Sequence, residues 1–166
     1  IETRTLRWSW TQTPDLRAIE QVLADDPSVR TVACVHHETT TGLLNPLEEV
    51  ARVVREHDRE LLVDGISAIG GERLDIPGWD LTYCVGTANK CIQGLPGLSF
   101  VLLKREAMAR IDEQPPRSLY LSLSTYHDVQ EAGSVPFTPA VQIGYALQAA
   151  LDELAEEGVE ARIDRY

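Results

Sequence analysis

Three short apolar runs, Val29 to Val35, Leu61-Leu62-Val63 and Leu81 to Val85, alternate with segments whose apolar residues recur at helical spacing. No other feature narrows the fold as much. Strand, helix and strand in succession form right-handed crossover units, so the sheet is largely parallel and its faces are covered by helices. Thr13-Pro14 offers a cap followed by proline at the first helical position, and Leu16, Ile19, Val22 and Leu23 share one face up to about Ala24. Asp25-Asp26-Pro27 ends that helix. Asn45-Pro46-Leu47-Glu48 has a capping-box pattern, and Leu47, Val50, Val53 and Val54 line the next helix as far as His57. The expected class is α/β, a largely parallel sheet with flanking helices.

The remaining segments extend this pattern. Thr3 to Trp10 alternate polar and apolar groups, which predicts a half-buried first strand, and Leu98 to Leu103 predicts another after the Leu81 run. Arg105 to Ile111 reads as a short helix, and Pro115-Pro116 breaks the chain. Ser118 to Tyr126 is ambiguous between a helix and an extended run. Thr138-Pro139 can begin a long helix with Ala140, Ile143, Leu147, Leu151 and Leu154 on one face, ending near Gly158. With 43% hydrophobic residues among 166, the chain can bury a core of its own. It contains no internal repeat.

Charge and cysteine content exclude several functions. A formal charge of -11 argues against a nucleic acid or an anionic membrane as partner, because either requires a basic face that displaces counterions. Cys34, Cys84 and Cys91 are odd in number and lack C-x-x-C or Cys/His ligand spacing, so neither a disulfide framework nor a zinc site is expected. A reducing cytoplasm fits best. No apolar run approaches the roughly 20 residues of a membrane span, and the first residues lack a signal-peptide pattern. The chain opens on Ile1 in what reads as a strand, so it is expected to be a segment of something longer.

Polar groups gather just past the ends of the predicted strands: Glu38 to Thr41, Asp64, and Thr87 to Lys90. In a parallel sheet those ends lie on one edge and can converge on one ligand. Lys90 sits in a turn between two apolar runs, with Gly94 and Pro96-Gly97 tightening the return. An amine beside apolar surface has its charged form disfavoured, which frees a lone pair for attack on a carbonyl; a loop lysine is otherwise a solvated charge. Asp64, half shielded at a strand end, suits a cation or a protonated ring nitrogen, or else caps the following turn. The hydroxyls of Thr39, Thr40 and Thr41 could bind a ligand oxygen or belong to a plain loop. His36 and His37 point to opposite faces of a strand, so one is expected buried and one exposed rather than both on a metal. Gly70-Gly71 lacks the G-x-G-x-x-G order, and neither a G-x-S-x-G elbow nor a D-x-D-x-D-G loop is present. A Schiff-base lysine, together with a carboxylate that keeps a ring nitrogen protonated, is what a pyridoxal-phosphate enzyme requires.

Glu38-Thr39-Thr40-Thr41-Gly42-Leu43-Leu44-Asn45-Pro46-Leu47-Glu48-Glu49, Leu62-Val63-Asp64, and Ala88-Asn89-Lys90-Cys91-Ile92-Gln93-Gly94 with Pro96-Gly97 resemble the class V group of pyridoxal-phosphate aminotransferases, most nearly its phosphonate transaminases. The likeness runs along almost the whole chain. It implies the large-domain core of a fold type I pyridoxal-phosphate enzyme: residues 1–139 the central part of the cofactor-binding domain, its N-terminal part absent, and 140–166 a helix leading towards an absent small domain. It implies catalytic roles for Lys90, which would hold pyridoxal 5'-phosphate and move the substrate proton, and for Asp64, which would face the pyridine nitrogen. Thr39 would contact the cofactor near its ring hydroxyl, Thr87 near its phosphate, and Thr138 would reach the phosphate of the neighbouring subunit in a homodimer.

The reaction implied is transfer of the amino group of 2-aminoethylphosphonate to pyruvate, an amine donor and a 2-oxo acid acceptor, giving phosphonoacetaldehyde and alanine. Members of the family are much longer, and the phosphate cradle, the ring-stacking aromatic and the substrate-binding arginine are expected outside these residues. His37 and Gly65 depart from the pattern beside Glu38 and Asp64. Alternatives are an alanine:glyoxylate or serine:pyruvate transaminase, and a catalytically silent fragment or assembly module. Asn89 in place of a histidine before the lysine disfavours a cysteine desulfurase.

Overall fold

The computed structural model describes residues 2–166. Its elements run α1 (Leu16–Asp25), β1 (Thr31–Val35), α2 (Leu47–Glu56), β2 (Glu60–Asp64), β3 (Tyr83–Thr87), β4 (Ser99–Leu103), α3 (Arg105–Asp112), α4 (Leu123–Glu131), α5 (Val141–Glu157) and α6 (Val159–Arg165). The four strands lie in sheet order β1-β2-β3-β4. The first three are parallel, with Val35 beside Asp64 and Asp64 beside Val85, and β4 returns antiparallel to β3. Hence the carboxyl ends of β1, β2 and β3 open on the same edge.

One layer of helix seals the sheet. Ile19 and Leu23 of α1 and Leu47, Val50, Val53 and Val54 of α2 pack with Leu61 and Val63 of β2 and with Leu81 and Cys84. Alternate residues of β2 and β3 are buried, as a strand with one face in the core requires. Gly86 continues that row because the Phe100 ring of β4 occupies the place of a side chain: a Cβ there would lie 2.4 Å from Phe100 Cζ. Among the described residues no helix is long and apolar enough to cross a membrane.

Four expectations are corrected. Residues 3–10 form no strand; they pair with no sheet edge, and only Trp8 reaches the core. The cap of α1 is Asp15, whose carboxylate accepts from the Arg17 amide at 2.9 Å, rather than Thr13. At α2 the capping box does not form: Pro46 holds the cap position without a side-chain bond, because the Asn45 amide donates to the Val35 carbonyl at 2.9 Å and ties the loop back to β1. The long helix begins at Val141, leaving Thr138 and Pro139 in the segment before it. The ambiguous run resolves into α4, which starts at Leu123 with Ser122 accepting from the Thr125 amide.

Candidate active site

The sheet edge brings three turns together. After β1 the chain turns through Glu38 to Gly42, where the Gly42 amide donates to the Glu38 carbonyl at 2.9 Å. The Thr39 hydroxyl is hydrogen-bonded to the hydroxyl of Ser67, in the turn that follows β2. That second turn is set by Asp64, whose Oδ1 accepts from the Ile66 amide at 2.9 Å, and it packs on the third turn. A Cβ on Gly70 would lie 3.3 Å from the Cys91 carbonyl carbon, and Cys91 Sγ is 3.5 Å from the Ser67 carbonyl oxygen. Thr39, Asp64 and Lys90 therefore belong to three turns on one edge, the Asp64 turn touching the other two.

Lys90 is exposed, contrary to the expectation of an amine against apolar surface. The apolar neighbours of the turn, Ala88 and Ile92, point into the core while Asn89 and Lys90 face outward, so the backbone is held by burial and the amine is left accessible. Among the described residues, neither the Lys90 amine nor the second oxygen of Asp64 makes a hydrogen bond or ion pair. Lys104, the one other lysine of the chain, is by contrast 2.5 Å from Asp80 Oδ1.

Thr87 stands at the end of β3, its hydroxyl 2.8 Å from Asn89 Oδ1 and 3.2 Å from the Leu98 carbonyl oxygen. One proton is shared between two acceptors, so Thr87 braces the turn, and its oxygen keeps only acceptor capacity for a ligand. Thr138 is exposed and no hydrogen bond joins it to the other groups among the described residues. The structure thus gathers Thr39, Asp64, Thr87 and Lys90, and leaves Thr138 outside. Ser67 and Cys91 were missed by sequence reasoning. Their only signal is position, just after the aspartate and just after the lysine.

Electrostatics separate the reactive groups from the inert ones. Burial, with the Glu38 carboxylate adding to it, pushes the Cys34 thiol up to about 11; burial and Asp64 do the same to Cys84. The Cys91 thiol is raised by burial and then by Glu72. None of these thiols is a ready nucleophile near neutral pH. His36 is 3% exposed and burial holds its imidazole down to about 4, with His37 adding repulsion, so it packs as a neutral ring edge-on to Trp79. An open cavity of 470 Å³ beside Glu38, Thr40 and Thr41 is walled by Trp8 and Trp10 and includes neither Asp64 nor Lys90.

The donor set suits pyridoxal phosphate: an accessible amine for an aldehyde, a half-buried carboxylate with one oxygen unpaired for a protonated ring nitrogen, and the Thr39 hydroxyl on the adjoining turn. Residues 2–165 match the aminotransferase class-V family, and the chain belongs to it. Among its relatives, the 2-aminoethylphosphonate–pyruvate transaminase of Klebsiella pneumoniae is 45% identical over 156 residues, covering 92% of this chain and 42% of that protein. Its counterpart in Bacteroides fragilis is 38% identical over 169 residues, 100% of this chain and 46% of that protein. The chain spans less than half the length of these curated relatives. Among solved structures, pyridoxamine-pyruvate aminotransferase from Mesorhizobium loti superposes with a TM-score of 0.86 at 30% identity over 94% of this chain and 41% of its own. Alanine–glyoxylate aminotransferase from Nostoc sp. gives 0.89 at 26%, over 98% and 44%. The fold is that of the fold type I pyridoxal-phosphate aminotransferases.

Proposed function

We propose that this chain carries the cofactor-binding core of a pyridoxal-phosphate transaminase that transfers the amino group of 2-aminoethylphosphonate to pyruvate, yielding phosphonoacetaldehyde and alanine. The observation that carries the reading is the meeting of the Asp64 turn and the Lys90 turn on one sheet edge, each with its functional atom unpaired. The identity to phosphonate transaminases over nearly the whole chain supports the substrate pair.

Pyridoxal phosphate, when bound, supplies an aldehyde for amines and a ring that accepts electrons. Asp64 would keep a proton on the ring nitrogen, since its Oδ1 accepts from the Ile66 amide while the second oxygen is left free for such a contact. Lys90 Nζ, unpaired and on a braced turn, would hold the cofactor, and its free amine would be the group that takes and returns a proton at the donor carbon. Thr39 contributes a hydroxyl from the β1 turn, oriented by Ser67. Thr87 serves the phosphate side as a brace.

In this reading residues 1–139 are the central part of the large domain and 140–166 lead towards a small domain. Thr138 is exposed because it serves the partner's phosphate in a homodimer. The enzyme works in the cytoplasm, in phosphonate catabolism.

The test is to load the chain with pyridoxal phosphate, reduce with borohydride and map the modified lysine, then screen amine donors. Trapping on Lys90 in preference to Lys104, weakened by Asp64→Ala, is expected. Equal modification of the two lysines would leave a catalytically silent module. Faster turnover of alanine with glyoxylate than of the phosphonate with pyruvate would replace the substrate assignment.

A further inference from the structure

The turn that carries Lys90 is held from outside by the far end of the chain. Within the turn, the Gln93 amide donates to the Lys90 carbonyl at 2.8 Å and the Gly94 amide to the Ala88 carbonyl at 2.7 Å. Those bonds leave the Cys91 and Ile92 carbonyls without a partner in the turn itself. Arg162 of α6 supplies it: its Nη1 lies 3.2 Å from the Cys91 oxygen and 3.3 Å from that of Ile92. Only 2% of this side chain is exposed, and its Nε donates to Glu157 Oε2 at 2.6 Å. Glu157 also accepts from Arg165 Nε at 2.6 Å. A buried cation is costly unless its donors are satisfied, so placing one here commits α6 to this spot. Arginine suits the task because its planar fork reaches two carbonyls and a carboxylate together, which an ammonium cannot.

A second tie lies beside the first. Gln93 has φ of 69°, a left-handed conformation unfavourable for a residue with a side chain, and its side-chain Nε2 donates to the Tyr166 hydroxyl at 2.9 Å. Tyr166 in turn packs at 3.6 Å from where a Gly71 Cβ would project, and that Cβ would collide with Cys91 Sγ at 2.6 Å. The Asp64 turn, the Lys90 turn and the chain's last helix thus share one contact.

We propose that Arg162, anchored by Glu157 and seconded by Tyr166, is a positioning residue that sets the backbone from which Lys90 projects towards the cofactor. This rests on the pyridoxal-phosphate reading above. Arg162 touches no reacting atom; it acts through the Cys91 and Ile92 carbonyls.

The experiment uses the full chain as wild type and as Arg162→Lys, Arg162→Met and Tyr166→Phe. Amide hydrogen exchange is read without cofactor, and trapping of pyridoxal phosphate by borohydride is read at both lysines. Loss of charge-assisted bonds in Arg162→Met should speed exchange at Cys91 to Gly94 by about tenfold or more while the α2 amides keep their rates. Trapping at Lys90 should fall by a similar factor relative to Lys104, the internal control. Arg162→Lys should recover part of both effects. Tyr166→Phe, an exposed change that spares folding, should loosen Gln93 by about threefold. Unaltered exchange in the turn, or equal loss of trapping at both lysines, would overturn the proposal. A wild-type chain without preference for Lys90 would overturn the cofactor reading itself, and the positioning role with it, whatever the exchange rates show.

Discussion

Residues 16–104 and residues 105–166 obey different rules of assembly. In the first region Leu47, Val50, Val63 and Cys84 are at most 2% exposed, and every strand has a helix or a neighbouring strand against it. In the second, α4 buries no residue and the 17-residue α5 buries only Ala150, while Leu119 and Leu121 stand 79% and 77% exposed. Yet the most deeply buried large side chain of that second region is Arg162. The sheet region is held by apolar area, which is insensitive to direction; the helical tail is held at a few points, and its firmest point is polar and directional.

That contrast can be broken or sharpened in order of effect. Leu47→Ala should cost about 3 kcal/mol, because α2 is walled in and cannot collapse into the space; a urea midpoint that falls at unchanged slope would show it. Gly86→Ala should cost about 2 kcal/mol by driving a methyl into the Phe100 ring, and Phe100→Leu in the same chain should restore part of the loss. Acidification should weaken the sheet region through His36. Its folded pKa lies at about 4, below the ordinary 6.5, so the unfolded chain binds the proton first. The stability is present above pH 6.5 and is lost as pH falls towards 4; His36→Gln should flatten the fall in melting temperature across that window. Smallest of all, Leu121→Ala should change stability by no more than about 0.5 kcal/mol. An unfolding cost there as large as that of Leu47→Ala would dissolve the distinction.

The legibility of the sequence divides along the same line. The runs at Val32, Leu61 to Val63 and Leu81 to Val85, and the helical faces around Ile19 and Val50, are periodic because one side meets a core, and periodicity survives in sequence. Thr3 to Trp10 has the same alternation without a partner strand, and pairing is not a local property. The caps at Thr13 and Asn45 were misplaced because neighbouring groups compete: Asp15 lies nearer the first turn of its helix, and Asn45 is taken by the Val35 carbonyl. Lys90, Asp64 and Thr39 were legible as strand-end polar groups that the topology brings to one edge. Ser67 and Arg162 were not, since their partners lie 28 and about 70 residues away and no spacing rule reports such contacts.

The antiparallel pairing of β4 with β3 has a consequence for the order of assembly. The lysine turn joins two strands that are neighbours both along the chain and in the sheet, so closing it needs only a short loop and little entropy. The carbonyls that Arg162 satisfies must wait for a segment 70 and 71 positions downstream. The loop therefore exists early as a hairpin connection, and its final curvature is set when the last helix docks. Synthesis from the amino end imposes the same sequence of events: the lysine emerges, its strands pair, and the turn reaches its working shape after the chain has delivered its arginine.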